Sequence, residues 1–418
     1  MTVTAIGFAW VRAVPASVVA LGMRAAAMAA WAVAGIVVAR ALPVSDRGAY
    51  ALTILVASVL LALLSGVAAA AGQAVLRHGL APGVAVAAAG WAGLLAMGSW
   101  LGLGLALAGS QAGLLSAACV VAAMSAPAVG LRSAIGAVAL ARERAWLFNL
   151  ATHGPAFATV ALLVALLAAT GRLSVAGAVA AWLIAQYGAL VAVAVLAPDW
   201  LVEAVHSGRR GVAALGALRG FALPAGAIAV VAVLNSRVDL LIVGTVAGRT
   251  AAGLYASANS ILDVLGAAGI AISVSLYGRI GGSSAGQAAA LTAGGARQAL
   301  VAVAVPASLF AFVAPQALVF LFGSAYLPAA AAVRVMCLAA VLLAPQTVLA
   351  TYFVVQRGRP AIALALAGLS VTIEAGLALL LVPAIGIVGG AWASVAAYGL
   401  TLAVLLLLFR RTVQGPSR

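Results

Sequence analysis

Seven charged side chains lie inside long apolar stretches of the chain, and six of them are the residues best placed to do chemistry. These six are Arg24, Arg237, Arg334, Asp239, Asp263 and Glu374. A charge at membrane depth is costly, so each is a candidate functional residue. The planar arginine fork binds oxyanions such as phosphate through paired hydrogen bonds, and a buried carboxylate can hold a proton or Na⁺. The structural alternatives are that each arginine caps the carbonyls of a neighbouring helix and each acid forms an ion pair.

The spacing of these charged residues limits which partners and roles each can have. Arg237 and Asp239 are two residues apart, so they do not share a helical face, and any side-chain partner of Asp239 lies on another helix. Asp263 and Glu374 have no adjacent base in the sequence, which makes them the better candidates for a protonatable or sodium-binding site. Arg132 falls near the end of an apolar stretch, and we expect its side chain to extend to the membrane surface.

The composition requires lipid as the solvent for the elements that carry these residues. Of the 418 residues, 66% are hydrophobic and only 7% are charged, far below the roughly 25% typical of soluble domains. Apolar stretches long enough to cross a bilayer recur along the chain, and their continuous pattern predicts helices rather than a barrel. The sequence therefore predicts an all-α integral membrane protein. The twelve predicted spans are 15–38, 49–75, 84–108, 112–139, 146–169, 174–197, 219–245, 253–278, 296–322, 328–355, 360–382 and 387–409.

The arginines indicate how the chain is oriented. With a cytoplasmic N-terminus, fourteen fall on the cytoplasmic side of the spans and four on the outer side, as the positive-inside rule requires. Both termini are therefore predicted to be cytoplasmic. The net charge of +15 is dispersed over many loops as a topology signal, so we expect no nucleic-acid partner.

Three landmarks recur at about half the chain length. Residues 43–50 match residues 248–255, and residues 142–144 match residues 357–359. The Tyr-Gly pair at residues 187–188 matches the Tyr-Gly pair at residues 398–399. We infer two six-helix bundles, residues 1–205 and 206–418, parallel to each other around a central cavity and joined by a polar linker near residues 198–211. The tyrosines of the two Gly-x-Tyr landmarks, Tyr50 and Tyr255, are interpreted as interfacial belt residues.

Enzyme signatures are missing from the sequence. No phosphate-binding loop with its lysine, no histidine pair with metal-ligand spacing and no serine elbow with polar partners is present. The predicted outer loops are too short to hold a glycan and catalytic carboxylates. The sequence therefore predicts a transporter that is not an enzyme and needs no cofactor or metal.

Four segments resemble the polysaccharide flippases of the multidrug/oligosaccharidyl-lipid/polysaccharide superfamily. Residues 42–52 resemble the turn of the family's first hairpin, with Pro43 in place of its usual glycine. Residues 237–244 resemble the Arg-x-Asp and Ile-Gly pattern of its seventh span. Residues 321–329, followed by an arginine, and residues 386–391 resemble two later family segments.

The resemblance implies the twelve-helix fold that the family shares with multidrug (MATE) exporters, and a function. The protein would flip a polyprenyl-pyrophosphate-linked oligosaccharide to the outer leaflet of a bacterial plasma membrane, with a polysaccharide polymerase and other assembly proteins as partners. Arg24, Arg237 and Arg334 would bind the lipid phosphates, and Asp239, Asp263 and Glu374 would couple transport to H⁺ or Na⁺. The alternative is a cation-coupled exporter of small amphipathic compounds.

Overall fold

The computed structural model of the protein describes residues 16–110 and 112–414, and all of its regular structure there is helical. Arg12 and Arg418, counted in the charge bias, lie outside these residues. The α-helices are α1 (Ala16–Ala41), α2 (Val44–His78), α3 (Pro82–Leu107), α4 (Gly113–Ala141), α5 (Ala145–Thr170), α6 (Val175–Leu196), α7 (Pro198–His206), α8 (Gly208–Asn235), α9 (Val238–Val246), α10 (Gly248–Gly282), α11 (Ala285–Phe312), α12 (Ala314–Phe322), α13 (Ala330–Thr351), α14 (Pro360–Ile385) and α15 (Ile387–Gln414).

Twelve segments in the described part of the chain are long and apolar enough to span a membrane. This confirms the prediction of an all-α, twelve-span membrane protein. The tenth segment adds to α13 a 3₁₀ turn at Ser324–Ala329 before it and a π turn at Tyr352–Gln356 after it. The short helices α7, α9 and α12 are additional to the twelve.

The seventh span is not the continuous helix predicted over residues 219–245. Helix α8 begins earlier, at Gly208, and ends at Asn235, and α9 begins at Val238. The polar residues Ser236 and Arg237 occupy the break, and the Asp239 carboxylate accepts a hydrogen bond from the Leu240 amide (2.6 Å) in the first turn of α9. Side-chain bonds of this kind compete with the helical ladder, which explains why the helix ends and restarts here. Broken spans are common at the binding sites of transporters.

The polar linker is also partly helical, as α7, and it packs against α3. The Glu203 carboxylate accepts a hydrogen bond from the Gly83 amide at the start of α3 (2.9 Å). The Trp91 indole donates to the Gly208 carbonyl (2.9 Å). The linker is therefore fixed to the helix beside it by both polar and apolar contacts, the latter through Ala204.

Packing of the Cα trace separates two compact units. Among the described residues, unit 1 comprises residues 16–34, 56–110, 112–171 and 177–229, and unit 2 comprises residues 35–55, 172–176 and 230–414. The two six-helix bundles at 1–205 and 206–418 remain a prediction.

One pair of repeat landmarks has the same backbone conformation in both copies. Glu143, in the turn between α4 and α5, has φ 61°, and Gly358, its counterpart in the Arg-x-Arg landmark, has φ 59°. In both turns the arginine that follows donates its amide to a carbonyl in the preceding helical segment, Arg144 to Ala139 and Arg359 to Phe353. The left-handed conformation suits glycine, so Glu143 carries backbone strain that Gly358 does not.

The landmark pair at residues 43–50 and 248–255 is in reciprocal contact within unit 2. A Cβ added to Gly48 of α2 would lie 1.8 Å from the Arg249 carbonyl oxygen, and one added to Gly253 of α10 would lie 2.0 Å from the Val44 carbonyl oxygen. Gly48 matches Gly253 and Val44 matches Arg249 at the same offset of 205. The glycine of each turn therefore packs against the equivalent residue of the other turn, as in a two-fold symmetric contact. Both positions require glycine because backbone meets backbone there.

Arg132 does not extend to the membrane surface, so that expectation is wrong. Its side chain is buried within unit 1, where it donates hydrogen bonds to the Ala151 carbonyl of α5 and to the Gln186 side chain of α6 (3.2 Å). A polar partner on a neighbouring helix makes the interior a better environment than the long reach to the surface.

Candidate functional site

The break between α8 and α9 places Arg237 beside Asp263 of α10. The two side chains form an ion pair, and Arg237 also donates to the Ser236 carbonyl (2.9 Å). The side chains of Arg237 and Asp263 remain 26% and 45% exposed. Because the pair is accessible, an anionic ligand can reach the guanidinium and take the place of the carboxylate.

Asp239 lies two residues further on and is enclosed by neutral hydrogen-bond donors. Its side chain is 2% exposed. One carboxylate oxygen accepts hydrogen bonds from the Tyr255 hydroxyl of α10 (2.8 Å) and the Ser394 hydroxyl of α15 (3.2 Å), and the other accepts from the Leu240 amide. The side-chain partners are on other helices, as the spacing predicts. Three donors stabilise a buried carboxylate without neutralising its charge.

Glu374 of α14 is a second buried acid, close enough to Asp239 for their charges to interact. Neither of its carboxylate oxygens makes a hydrogen bond, and the Ser370 hydroxyl one turn earlier on α14 is also without a partner. Both amide atoms of buried Asn259 on α10 are unpaired as well. Buried polar atoms of this kind need a water molecule, an ion or a proton to satisfy them.

The chemistry of this acidic cluster suits a small cation. Asp239, Glu374, Ser370 and Ser394 offer carboxylate and hydroxyl oxygens, the ligand type that hard cations prefer, and either carboxylate can instead take a proton. No group of three or more His, Cys, Asp and Glu side chains that could hold a metal ion occurs in the described residues. The cluster can therefore hold H⁺ or Na⁺, through two acids supported by neutral groups.

Arg334 occupies a different kind of place. It lies in the second turn of α13, and its Nε donates to the Ala311 carbonyl at the end of α11 (3.2 Å). Arg40 does the same at the end of α12, with its Nε on the Leu321 carbonyl (2.9 Å). The terminal carbonyls of a helix have no partner within it, so these arginines act as caps. The geometry of Arg334 favours the structural alternative.

Arg24 lies in unit 1, on an exposed face of α1. In the part of the chain that the structure describes, no acidic side chain forms an ion pair with it. His153 of α5 is close enough for the charge of Arg24 to act on it. The histidines were excluded as metal ligands from their spacing, and the proximity of His153 to Arg24 was not predicted. A histidine within an apolar span is the signal that could have identified it.

The structure brings together four of the six candidate residues within unit 2. They are Arg237, Asp239, Asp263 and Glu374. It adds Tyr255 and Ser394, which were not predicted as site residues. The interpretation of Tyr255 as an interfacial belt residue is wrong, because it is fully buried and bonded to Asp239. Its proximity to Asp239 depends on the angle between α9 and α10, which the sequence does not encode locally.

Similarity to known proteins is found at the level of the fold. The chain matches no protein-family model and no curated protein. An inward-facing multidrug resistance MATE transporter of the MOP superfamily aligns at a TM-score of 0.67 and 16% identity, over 92% of this chain and 94% of the other. The lipid II flippase MurJ, in an inward closed conformation, aligns at 0.74 and 12%, over 94% and 87%.

The MATE multidrug transporter DinF-BH aligns at a TM-score of 0.65 and 16% identity, over 95% of each chain. The three solved structures are transporters or flippases, which accords with the absence of enzyme signatures in the sequence. These similarities confirm the fold implied by the resemblance: the chain is a multi-pass membrane protein with the fold of the MOP-superfamily transporters.

Proposed function

We propose that this protein flips a polyprenyl-pyrophosphate-linked oligosaccharide from the cytoplasmic to the outer leaflet of a bacterial plasma membrane, by alternating access. The transport is driven by H⁺ or Na⁺ at the acidic cluster of Asp239 and Glu374. The glycan is destined for a surface polysaccharide. The fold shared with both MurJ and the MATE transporters supports a transporter but leaves the cargo open, so the choice of cargo rests on the site.

One observation carries the proposal. The break in the seventh span places an accessible arginine, Arg237, and a buried, hydrogen-bonded carboxylate, Asp239, at the same short turn. A cation that enters or leaves the cluster changes the charge balance at the start of α9, where Arg237 is attached. Ion binding and anion binding are thereby coupled through a single structural element.

The arginines give a path for the pyrophosphate. Arg24 in unit 1 carries a positive charge that no described acid neutralises, and it binds the lipid phosphate before Arg237 does. Arg237 in unit 2 then binds the phosphate in place of Asp263. A pyrophosphate presents several oxygens in the geometry that the guanidinium fork matches. Arg334 is assigned a supporting role, because its Nε is already engaged by a helix end.

Gene deletion and complementation in the native host test the proposal. Deletion is expected to abolish one surface glycan and to leave its lipid-linked precursor on the inner leaflet. Wild-type protein and an Arg219→Ala control, which removes an exposed arginine outside the site, should restore the glycan. Arg24→Ala and Arg237→Ala should not restore it, and the lysine variants should restore it in part, because lysine keeps the charge but loses the fork. A surface glycan profile unchanged by deletion would contradict the function.

The second candidate is a cation-coupled exporter of small amphipathic compounds. The buried Glu374 favours it, because both carboxylate oxygens are unpaired and a coupling cation alone would satisfy them. This feature does not depend on a sugar-containing cargo. Overexpression would then raise resistance to cationic dyes, and deletion would leave surface polysaccharide unchanged. Resistance and surface glycan measured in the same strains separate the two functions.

A further inference from the structure

An open groove runs between the end of α10 and the first half of α11, at the end of the helices predicted to face the cytoplasm. It encloses about 880 Å³, and its lining includes Gly278, Arg279, Gly282, Gln287, Gly294 and Gln298. All of its lining residues belong to unit 2. The volume is within the range of about 300–1,000 Å³ that ligand pockets occupy.

Glycines create the space in this groove. The helices are in close contact where Gly295 of α11 lies against Leu276 of α10, since a Cβ added there would be 2.2 Å from the leucine side chain. At Gly278, Gly282 and Gly294 an added Cβ would meet nothing within 4 Å. The groove is therefore an open space that the glycines leave beside a close helix–helix contact.

The polar groups that line the groove are suited to an anion. Arg279 supplies a guanidinium that makes no ion pair with any described acid, and no carboxylate lines the groove. The Gln287 carbonyl faces the Ser284 amide (3.4 Å), which leaves its NH₂ group free to donate, and Gln298 adds a second amide. A charged fork with two amide donors and no carboxylate matches phosphate oxygens and disfavours cations.

We propose that this groove is the docking site for the phosphate headgroup of the polyprenyl-linked cargo, at the cytoplasmic surface and before the cargo reaches Arg24 and Arg237. The choice of lipid rests on the proposed function. Arg279 is in the last turn of α10, where a lipid headgroup meets the end of a spanning helix. The groove is larger than one inorganic phosphate requires, so it also has room for what is attached to the headgroup.

Binding of polyprenyl phosphate to the full-length protein in nanodiscs of neutral phosphatidylcholine tests the site. Arg279→Ala should weaken binding by about tenfold or more, which corresponds to the loss of a charge-assisted hydrogen-bonding group. Arg297→Ala is the matched control, because it removes an exposed arginine of α11 that does not line the groove, and it should change the affinity less than about twofold. Gly294→Leu fills the groove without a change in charge and should weaken binding as Arg279→Ala does.

The choice of ligands decides what the groove recognises. Polyprenol without phosphate should bind with no dependence on Arg279, and excess inorganic phosphate or phosphatidylglycerol should not displace polyprenyl phosphate. Displacement by inorganic phosphate would assign the groove to the free ion, and equal binding of phosphatidylglycerol would make it a general lipid site; either result overturns the proposal. Equal losses in Arg279→Ala and Arg297→Ala would overturn it as well.

Failure of this site can be distinguished from failure of the proposed function. If wild-type protein flips the cargo but Arg279→Ala binds polyprenyl phosphate normally, the groove is not the docking site and the function stands. If polyprenyl phosphate binds in an Arg279-dependent way but wild-type protein flips no oligosaccharide, the site stands and the proposed function fails.

Discussion

The reciprocal contact of Gly48 and Gly253 makes a quantitative prediction about stability. Gly253→Ala places a Cβ 2.0 Å from the Val44 carbonyl oxygen and 2.9 Å from its carbon. Distances under 3.0 Å essentially never occur for real Cβ atoms, so α10 and the start of α2 must separate by about 1 Å. Both groups are backbone and cannot rotate away. We therefore expect a cost at the upper end of the range for overpacking, about 3 kcal/mol.

Equilibrium unfolding in mixed micelles, followed by the fluorescence of the eight tryptophans, measures this cost. Gly48→Ala should cost about as much as Gly253→Ala, because its Cβ would lie 1.8 Å from a carbonyl oxygen. The double variant should cost clearly less than the sum, because the first methyl group already separates the two turns.

Gly266→Ala is the matched control, since Gly266 is a buried glycine of the same helix, α10, and an added Cβ would meet nothing within 4 Å. It should be neutral or stabilising by up to about 1 kcal/mol, as alanine favours the helix. If Gly253→Ala is as stable as Gly266→Ala, or if the two clashing substitutions add fully, the packing argument is refuted.

Three further predictions concern strain, burial and coupling. Glu143→Gly should stabilise the protein by about 1 kcal/mol in the same unfolding assay, and Gly358→Ala should destabilise it by a similar amount, because both positions have a left-handed backbone; equal effects of the same sign would contradict this. Arg132→Leu should cost about 1–3 kcal/mol, because it leaves the Ala151 carbonyl without its donor in unit 1; an unchanged unfolding midpoint would show that the two bonds contribute nothing. Glu374→Gln should fold at least as stably as wild type, since it removes a buried charge without hydrogen bonds, but its transport should no longer respond to a gradient of H⁺ or Na⁺; retained ion dependence would exclude Glu374 from coupling.

The number and type of helices could be predicted from the sequence because the membrane imposes one requirement on every span. An apolar run of sufficient length must form a helix there, whatever its neighbours are. The break at Ser236 and Arg237 was not predicted, because hydropathy averages over a window and does not register two polar residues within an apolar run. The polar residues Asn235, Ser236, Arg237 and Asp239 are together the local signal that could have identified it.

The charged residues were identified more reliably than their environments. Their types and their approximate depths in the membrane can be predicted from the sequence. The side-chain partners of Asp239 lie on other helices, as the spacing predicts. Whether an arginine is exposed, buried or used as a cap depends on which helix lies beside it, so Arg132 was expected at the surface and is buried. The same holds for Tyr255, whose role follows from the crossing of α9 and α10.

Reconstituted flipping tests the central claim most directly. Purified protein in proteoliposomes is supplied with a polyprenyl-pyrophosphate-linked oligosaccharide that carries a fluorescent label on its sugar, and an impermeant quencher reports how much label has reached the exposed leaflet. We predict that wild-type protein equilibrates the label between the leaflets in response to a gradient of H⁺ or Na⁺, and that folded Arg237→Ala protein does not. If wild-type protein leaves the labelled oligosaccharide in place but moves a cationic dye across the same membranes, the protein is an exporter of small amphipathic compounds and not a lipid-linked oligosaccharide flippase.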